Sequence, residues 1–312
     1  MRSYLQFAIL LSLVLCGACA TPPYQPLPGT ARDIISSTDV VLPSKQNEIY
    51  VFVPNSNVAA ATGGGLIPAL IDAGINSVRT SKAETAVKPL RDSLVDFNFD
   101  EALGGELKSS LSEVSWMHVG NVRVIKEVTS DATDRAVTES RAGAVLFATP
   151  DYRLSNDGDE LFLSVNVSLF PNDDALRALK GDKAKAASSS TRAGSKTAQE
   201  IALYRNTLKF KARAPGATSD RDRNVAAWSA DNGAAMRSIL KLGAAKVALM
   251  LADDLQSSPE EIAANTKTYV MGPGQVTIEG ITGRIVGTDD DGETVRLNDG
   301  TMAFVTKAAL ER

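Results

Sequence analysis

The spacing of apolar and polar residues divides the chain into strand-like and helix-like stretches. After an apolar run at residues 5–15 and a mostly polar stretch to residue 47, Ile49-Tyr50-Val51-Phe52-Val53 is the first strong strand signal, ended by Pro54 and Asn55. Ala83, Val87, Leu90, Leu94 and Phe97 recur at spacings of three and four, as do Leu103, Leu107, Leu111 and Val114. This predicts two amphipathic helices, the first kinked at Pro89. Residues 122–128 read as a strand, 131–142 as a short helix and 144–148 as the next strand, a unit that suggests α/β layering. The clearest alternation follows. Leu161, Leu163, Val165, Val167 and Leu169 interleave with Phe162, Ser164, Asn166 and Ser168, predicting a strand with one buried and one wet face. The turn residues Ser155-Asn156-Asp157-Gly158-Asp159 join it to the preceding strand as a hairpin.

Residues 172–199 are rich in Ala, Ser and Lys and predict a flexible loop, after which 201–211 forms a strand. The longest helix is predicted from about Asn224, with Met236, Leu240, Ala244, Val247, Leu251 and Leu255 as its apolar stripe. Ser258-Pro259-Glu260-Glu261 has the spacing of a capping box with Pro at the first helical position. From Val276 three short strand-like runs are separated by Asp289-Asp290-Asp291-Gly292 and Asn298-Asp299-Gly300, both hairpin-turn signals. The fold expected is therefore α/β: a mixed sheet of about five strands packed by helices at 48–257, then a short helix and a small antiparallel β module at 258–312 docked on it.

The amino terminus carries an address. Arg2 gives a positive start, and the apolar run at 5–15 is shorter than the ~20 residues a membrane-spanning helix needs, so residues 1–18 read as a secretory signal. The run ends in Cys16-Gly17-Ala18-Cys19-Ala20-Thr21. This resembles the lipobox of bacterial lipoproteins, with Cys16 where that family usually carries Leu. The resemblance implies cleavage after Ala18 and acylation of Cys19, palmitate included. Because Ala20 stands where inner-membrane-retained members carry Asp, it also implies the periplasmic side of the outer membrane. Two or more acyl chains on one cysteine suffice as a membrane anchor. Pro22, Pro23, Pro26 and Pro28 then favour an extended spacer, so residues 19–47 are expected to be a tether.

Composition narrows the chemistry. The 312 residues carry a formal net charge of -4, without the basic field of a nucleic-acid binder, so no nucleic-acid partner is expected. His118 is the single histidine, which excludes a histidine zinc cluster or a histidine acid/base pair. Cys16 and Cys19 are the two cysteines, so the body has no disulfide framework. No cofactor, metal or catalytic residue is assigned.

Several constellations carry a sharp and a bland reading. Gly63, Gly64, Gly65, Leu66, Leu70 and Ile71 lie in a nearly charge-free segment, residues 58–75. It is either an interaction segment for membrane or self-association, since small residues allow close backbone approach, or a buried helix and its loop broken by Pro68. A P-loop is excluded because its Lys and Ser/Thr are missing. His118, beside Trp116 and Met117, reads as a packed or partly exposed side chain more readily than as a catalytic one. Asp289, Asp290, Asp291 and Glu293 lack the alternating spacing of a calcium loop and read as a solvated turn. The loop between Arg177 and Lys196 holds six basic residues against Asp182, either a solvated loop or a contact for anionic lipid or wall polymer.

The element order over residues 48–256, a strand, helices ending in Glu106-Leu107-Lys108-Ser109-Ser110-Leu111, a strand, a short helix, the hairpin of 144–170, then a strand and a final helix, resembles a known periplasmic α/β domain. It is the domain of the curli secretion lipoprotein CsgG, the penicillin-binding-protein activator LpoB and the amino-terminal part of TolB. That resemblance implies binding or assembly without a catalytic centre in the domain. Two functions follow as expectations: a non-catalytic outer-membrane lipoprotein that binds or helps assemble another envelope component or itself, and a periplasmic carboxylate-dependent hydrolase of cell-wall glycan or peptide.

Overall fold

The computed structural model describes residues 24–44, 46, 48–53, 81–126, 128–179, 201–266, 275–278 and 280–310. The alternation at 161–169 is realised in β5 (Glu160–Pro171). Leu161, Leu163, Val165, Val167 and Leu169 are buried against helices, while Ser164, Asn166 and Ser168 face away from them. β4 (Ala144–Leu154) pairs with it antiparallel over its whole length, closed by the expected turn with Gly158 at φ +68°. β6 (Tyr204–Arg213) flanks β5 on its other side, also antiparallel.

Around this centre lie β1 (Thr38–Pro43), β2 (Tyr50–Val51) and β3 (Val119–Ile125) on one side. On the other are β7 (Gln275–Ile278), β8 (Ile281–Thr288), β9 (Gly292–Leu297) and β10 (Met302–Thr306). The described residues form one ten-stranded sheet in the order β3-β1-β4-β5-β6-β10-β9-β8-β7, with β2 on β4. Pairing is parallel at β1–β3, β1–β4, β2–β4 and β6–β10 and antiparallel elsewhere. The fold is an α/β mixed sheet packed by helices, and the carboxy-terminal strands continue that sheet through β10 on β6.

One face is covered by a helix at 81–93 (α2, after α1 at Gly29–Ile34), by α3 (Phe99–Ser112) and by the carboxy-terminal part of the long helix Arg221–Gln256. The stripe Met236, Leu240, Ala244, Val247, Leu251 and Leu255 is fully buried there. On the opposite face α4 (Ser130–Thr138) lays Ala136 and Val137 on Val41, Val145 and Phe147, while α5 (Asp174–Ala178) adds Leu176 to the core of the first face, beside α1. Arg221–Gln256 is α6. It is followed by α7 (Pro259–Thr266) and, after β10, by α8 (Lys307–Leu310). The capping box that starts α7 is made in both directions: Ser258 N–H donates to Glu261 Oε2 at 2.7 Å, and Glu261 N–H donates to Ser258 Oγ at 3.2 Å.

Five expectations change. The span 19–47 was expected to be a tether, yet from Tyr24 onward it belongs to the body. Ala31 of α1 and the flanking Leu27 and Ile35 are buried in the core, and β1 is a fully buried strand between β3 and β4. The strand expected at 49–53 shrinks to the two residues of β2, because β4 ends at Leu154 and the Gln46 side-chain amide takes the backbone N–H and carbonyl of Tyr152, the residue before the paired Arg153. The carboxy-terminal segment holds four strands where three runs were expected. Finally, α6 is broken: Ala230 is extended and Asp231, Asn232 and Gly233 have φ of 51°, 58° and 72°. The loop expected at 172–199 begins with α5; residues 180–200 lie outside the described residues.

Candidate functional site

Because β4, β5, β6 and β10 are in continuous register, their side chains on the face away from α6 form rows. One row is Arg153, Phe162, Lys211 and Val305; the next is Asp151, Ser164, Lys209 and Ala303. A third aligns Thr149, Asn166 and Thr207, where the Thr207 hydroxyl donates to Asn166 Oδ1 at 2.9 Å. Among the described residues α4 covers this face where β4 begins and stops short of these three rows. Ile278 and Ile281 of the β7–β8 hairpin and Asp299 and Thr301 of the β9–β10 turn form the far wall of a groove of about 320 Å³. Its size is that of a small-ligand site, and it lies where two parts of the molecule meet.

Aromatic rings hold the cations of the first row. The Arg153 guanidinium lies 4.7 Å from the Phe52 ring centroid and 5.1 Å from that of Phe162, and Lys211 Nζ lies 5.4 Å from Phe162. Lys211 is also 2.9 Å from the buried Glu160. Phe52, 47% exposed, ends this ladder at the rim. Asp151 accepts the Tyr50 hydroxyl on both oxygens, at 2.9 and 3.0 Å, and the Tyr50 phenol is pushed up to about 12 by burial first and this bond second. Asp299 Oδ1 accepts Thr301 N–H at 3.0 Å across the turn. The groove thus presents three cations, two engaged carboxylates, hydroxyls and an amide, a surface suited to a hydrogen-bonding ligand that carries carboxylate or phosphate.

A second polar cluster is centred on a buried carboxylate. Asp254 on α6 accepts Tyr204 Oη, Asn206 Nδ2 and Arg296 Nη2, each at 2.6 Å, and Tyr24 Oη at 3.4 Å. Arg296 and Asp254 are buried, and the Arg296 guanidinium lies 5.8 Å from the Tyr24 ring. Burial foremost, then the Asp254 charge, drives both the Tyr204 and the Tyr24 phenol well above the ordinary tyrosine range. This cluster fastens β9, β6, α6 and the entry of the chain to one another.

Of the residues singled out by sequence, Cys19 and Gly63, Gly64, Gly65, Leu66, Leu70 and Ile71 lie outside the described residues. His118 is exposed, and its carbonyl accepts Thr38 N–H at 2.8 Å to start β1. Asp289 Oδ1 accepts the amides of Asp291 and Gly292, while Asp289 and Asp291 both pair with Lys246 at 2.7 and 2.8 Å. The acidic turn is thereby a pin holding the β8–β9 hairpin on α6. Among the described residues no group of three or more His, Cys, Asp or Glu side chains is placed to hold a metal ion, and no helix is long and apolar enough to cross a membrane. The groove residues Arg153, Lys209 and Lys211 were not marked from sequence. Their signal was the alternation of Arg205, Thr207, Lys209, Lys211 and Arg213 along β6, which names a wet face without saying what adjoins it. No protein-family model matches the chain, and no curated protein matches it in sequence.

Proposed function

We propose that this protein is a non-catalytic lipoprotein, acylated at Cys19 and held on the periplasmic side of a bacterial outer membrane, that binds or helps assemble another envelope component through the groove on its open sheet face. The observation that carries the binding role is the set of cross-strand rows bearing Arg153, Lys209 and Lys211 between the main sheet and the β7–β10 strands. The partner chemistry that suits it is an acidic, hydrogen-bonding group on a protein or a wall polymer. The lipobox-like Cys16-Gly17-Ala18-Cys19 supports the anchor, and the likeness of the element order to the CsgG, LpoB and TolB domains supports assembly. Metabolic labelling with radioactive palmitate tests the anchor: wild type takes up label and fractionates with the outer membrane, whereas Cys19→Ser does neither. Label retained by Cys19→Ser overturns the assignment.

The hydrolase reading retains one specific observation, that Asp151 and Asp299 line the same groove from opposite walls. It requires hydrolysis of peptidoglycan fragments by the purified protein that Asp151→Asn or Asp299→Asn abolishes while binding persists.

A further inference from the structure

We infer that the protein stands on the membrane in a restricted orientation, with the pole that carries Tyr24 and the 298–300 turn on the side of the phospholipid headgroups. The inference rests on acylation of Cys19. It adds which surface meets the bilayer and where the groove then lies.

Tyr24 and Gln25 are clamped. Gln25 exchanges backbone hydrogen bonds with Arg205 at 2.9 and 3.0 Å, its side-chain amide donates to the carbonyls of Ala202 and Leu203 at 2.7 and 2.9 Å, and its Oε1 accepts Arg205 Nη2 at 3.1 Å. The Tyr24 ring lies so close to Gly300 that a Cβ there would be 2.3 Å from Cδ1. From Cys19 to Tyr24 the chain takes five peptide steps. Fully extended they span at most about 18 Å. A folded body of this length has a radius of gyration of about 19 Å, hence an outer radius near 25 Å. The leash is therefore shorter than the radius of the body it holds, and the body cannot turn its opposite side to the membrane.

Chain direction identifies the two poles. β6 and β10 start beside Tyr24, and β9 and α6 end there, at Leu297 and at the Asp254 cluster. At the other pole α6 begins against the β4–β5 hairpin, where Trp228 Nε1 donates to the Gly158 carbonyl at 2.9 Å and Arg221 Nε to that of Asn156 at 2.6 Å. β6, ten residues long, separates the poles by roughly 33 Å. The groove rows succeed one another along β6, from Thr207 on the membrane side to Lys211 away from it, so the groove opens sideways above the headgroups. The membrane-side pole carries both signs, among them Arg32, Arg205, Glu260 and Glu261. The leash, not net charge, sets the orientation, and it survives high salt.

The test uses the full-length lipoprotein purified from membranes and reconstituted in phosphatidylcholine vesicles carrying a headgroup-bound collisional quencher. A fluorophore is placed on Asn298→Cys or on Asp157→Cys, both exposed, at opposite poles. The expected result is several-fold stronger quenching at 298 than at 157, unchanged by added salt. Inserting a Gly/Ser linker of about 30 residues after Pro23, with an end-to-end distance of about 30 Å, removes most of the difference. Equal quenching at the two positions, in protein whose intact mass contains the acyl chains, overturns the orientation while leaving the anchor standing. A mass that shows Cys19 unmodified overturns the anchor, and the orientation falls with it.

Discussion

Asp254 shows what a single buried side chain holds in this fold. It takes hydrogen bonds from α6's neighbours on three separate stretches of chain, and its ion pair with Arg296 is out of water on both sides. Removing one partner of such a pair strands the other, at a cost of about 3–5 kcal/mol, whereas removing both with apolar replacements costs much less. We expect Asp254→Ala to lower unfolding stability in urea by that amount, and Asp254→Leu with Arg296→Met to recover a substantial part; equal losses in the two variants would contradict a coupled pair. The tyrosines add a pH dependence. Tyr50 and Tyr152 are both pushed up to about 12, by burial first and then by the nearby carboxylate Asp151 for Tyr50 and Asp100 for Tyr152. A folded-state pKa raised above the unfolded value near 10 gives stability that is fully present below pH 10 and lost as pH rises through about 12. Phenolate absorbance should therefore appear together with loss of circular dichroism, and its completion near pH 10 in a still-folded protein would refute this. None of this was legible in the sequence: Tyr24, Tyr204, Asp254 and Arg296 are scattered over 273 positions and meet through the Gln25–Arg205 bridge, the packing of α6 on β6 and the pairing of β9 with β10 and of β10 with β6.

At the scale of elements, strong periodicity and the apolar run 144–148 were read correctly, and the short buried run of β1 was not. The stripe of α6 and the alternation of β5 repeat often enough to fix a face. β1 offers only Val40-Val41-Leu42 between Asp39 and Pro43, and its central place comes from partners distant in sequence. Polar residues hid it as well: Thr38 and Asp39 are buried, with Asp39 satisfied by Asn121 N–H at 2.8 Å and Ser140 Oγ at 2.7 Å. The break in α6 falls at Asp231-Asn232-Gly233, residue types that tolerate left-handed backbone. Arg237 fastens it to the end of α2, donating from Nε to the Asn232 carbonyl at 3.1 Å and pairing with Asp96. A Cβ on Gly233 would lie 2.6 Å from Ser93 Oγ, on top of the cost of φ 72°. Gly233→Ala should therefore destabilise by about 1–3 kcal/mol. Gly105→Ala, in α3 with open space around it, should stabilise by up to about 1 kcal/mol. Thermal unfolding of the two variants side by side decides this, and a neutral Gly233→Ala would mean that the break is not conformationally required.

At the scale of the molecule, the strands among the described residues form a single sheet whose two faces are treated differently. Helices bury the central strands on one face, while on the other α4 covers the start of β4 and the groove follows. The expected α/β class and the carboxy-terminal β strands were visible in the order of elements; the groove was not, because it depends on the parallel docking of β10 on β6. The account's central claim is that this groove engages an envelope component, and photo-crosslinking in living cells tests it most directly. A benzophenone side chain at Asn166, exposed in the groove, is compared with one at Leu249, 51% exposed on α6 across the sheet. The account predicts a discrete adduct with one envelope component from Asn166 that Lys209→Glu suppresses, and no such adduct from Leu249. No adduct at Asn166 above background, or the same adduct from both positions, would contradict it.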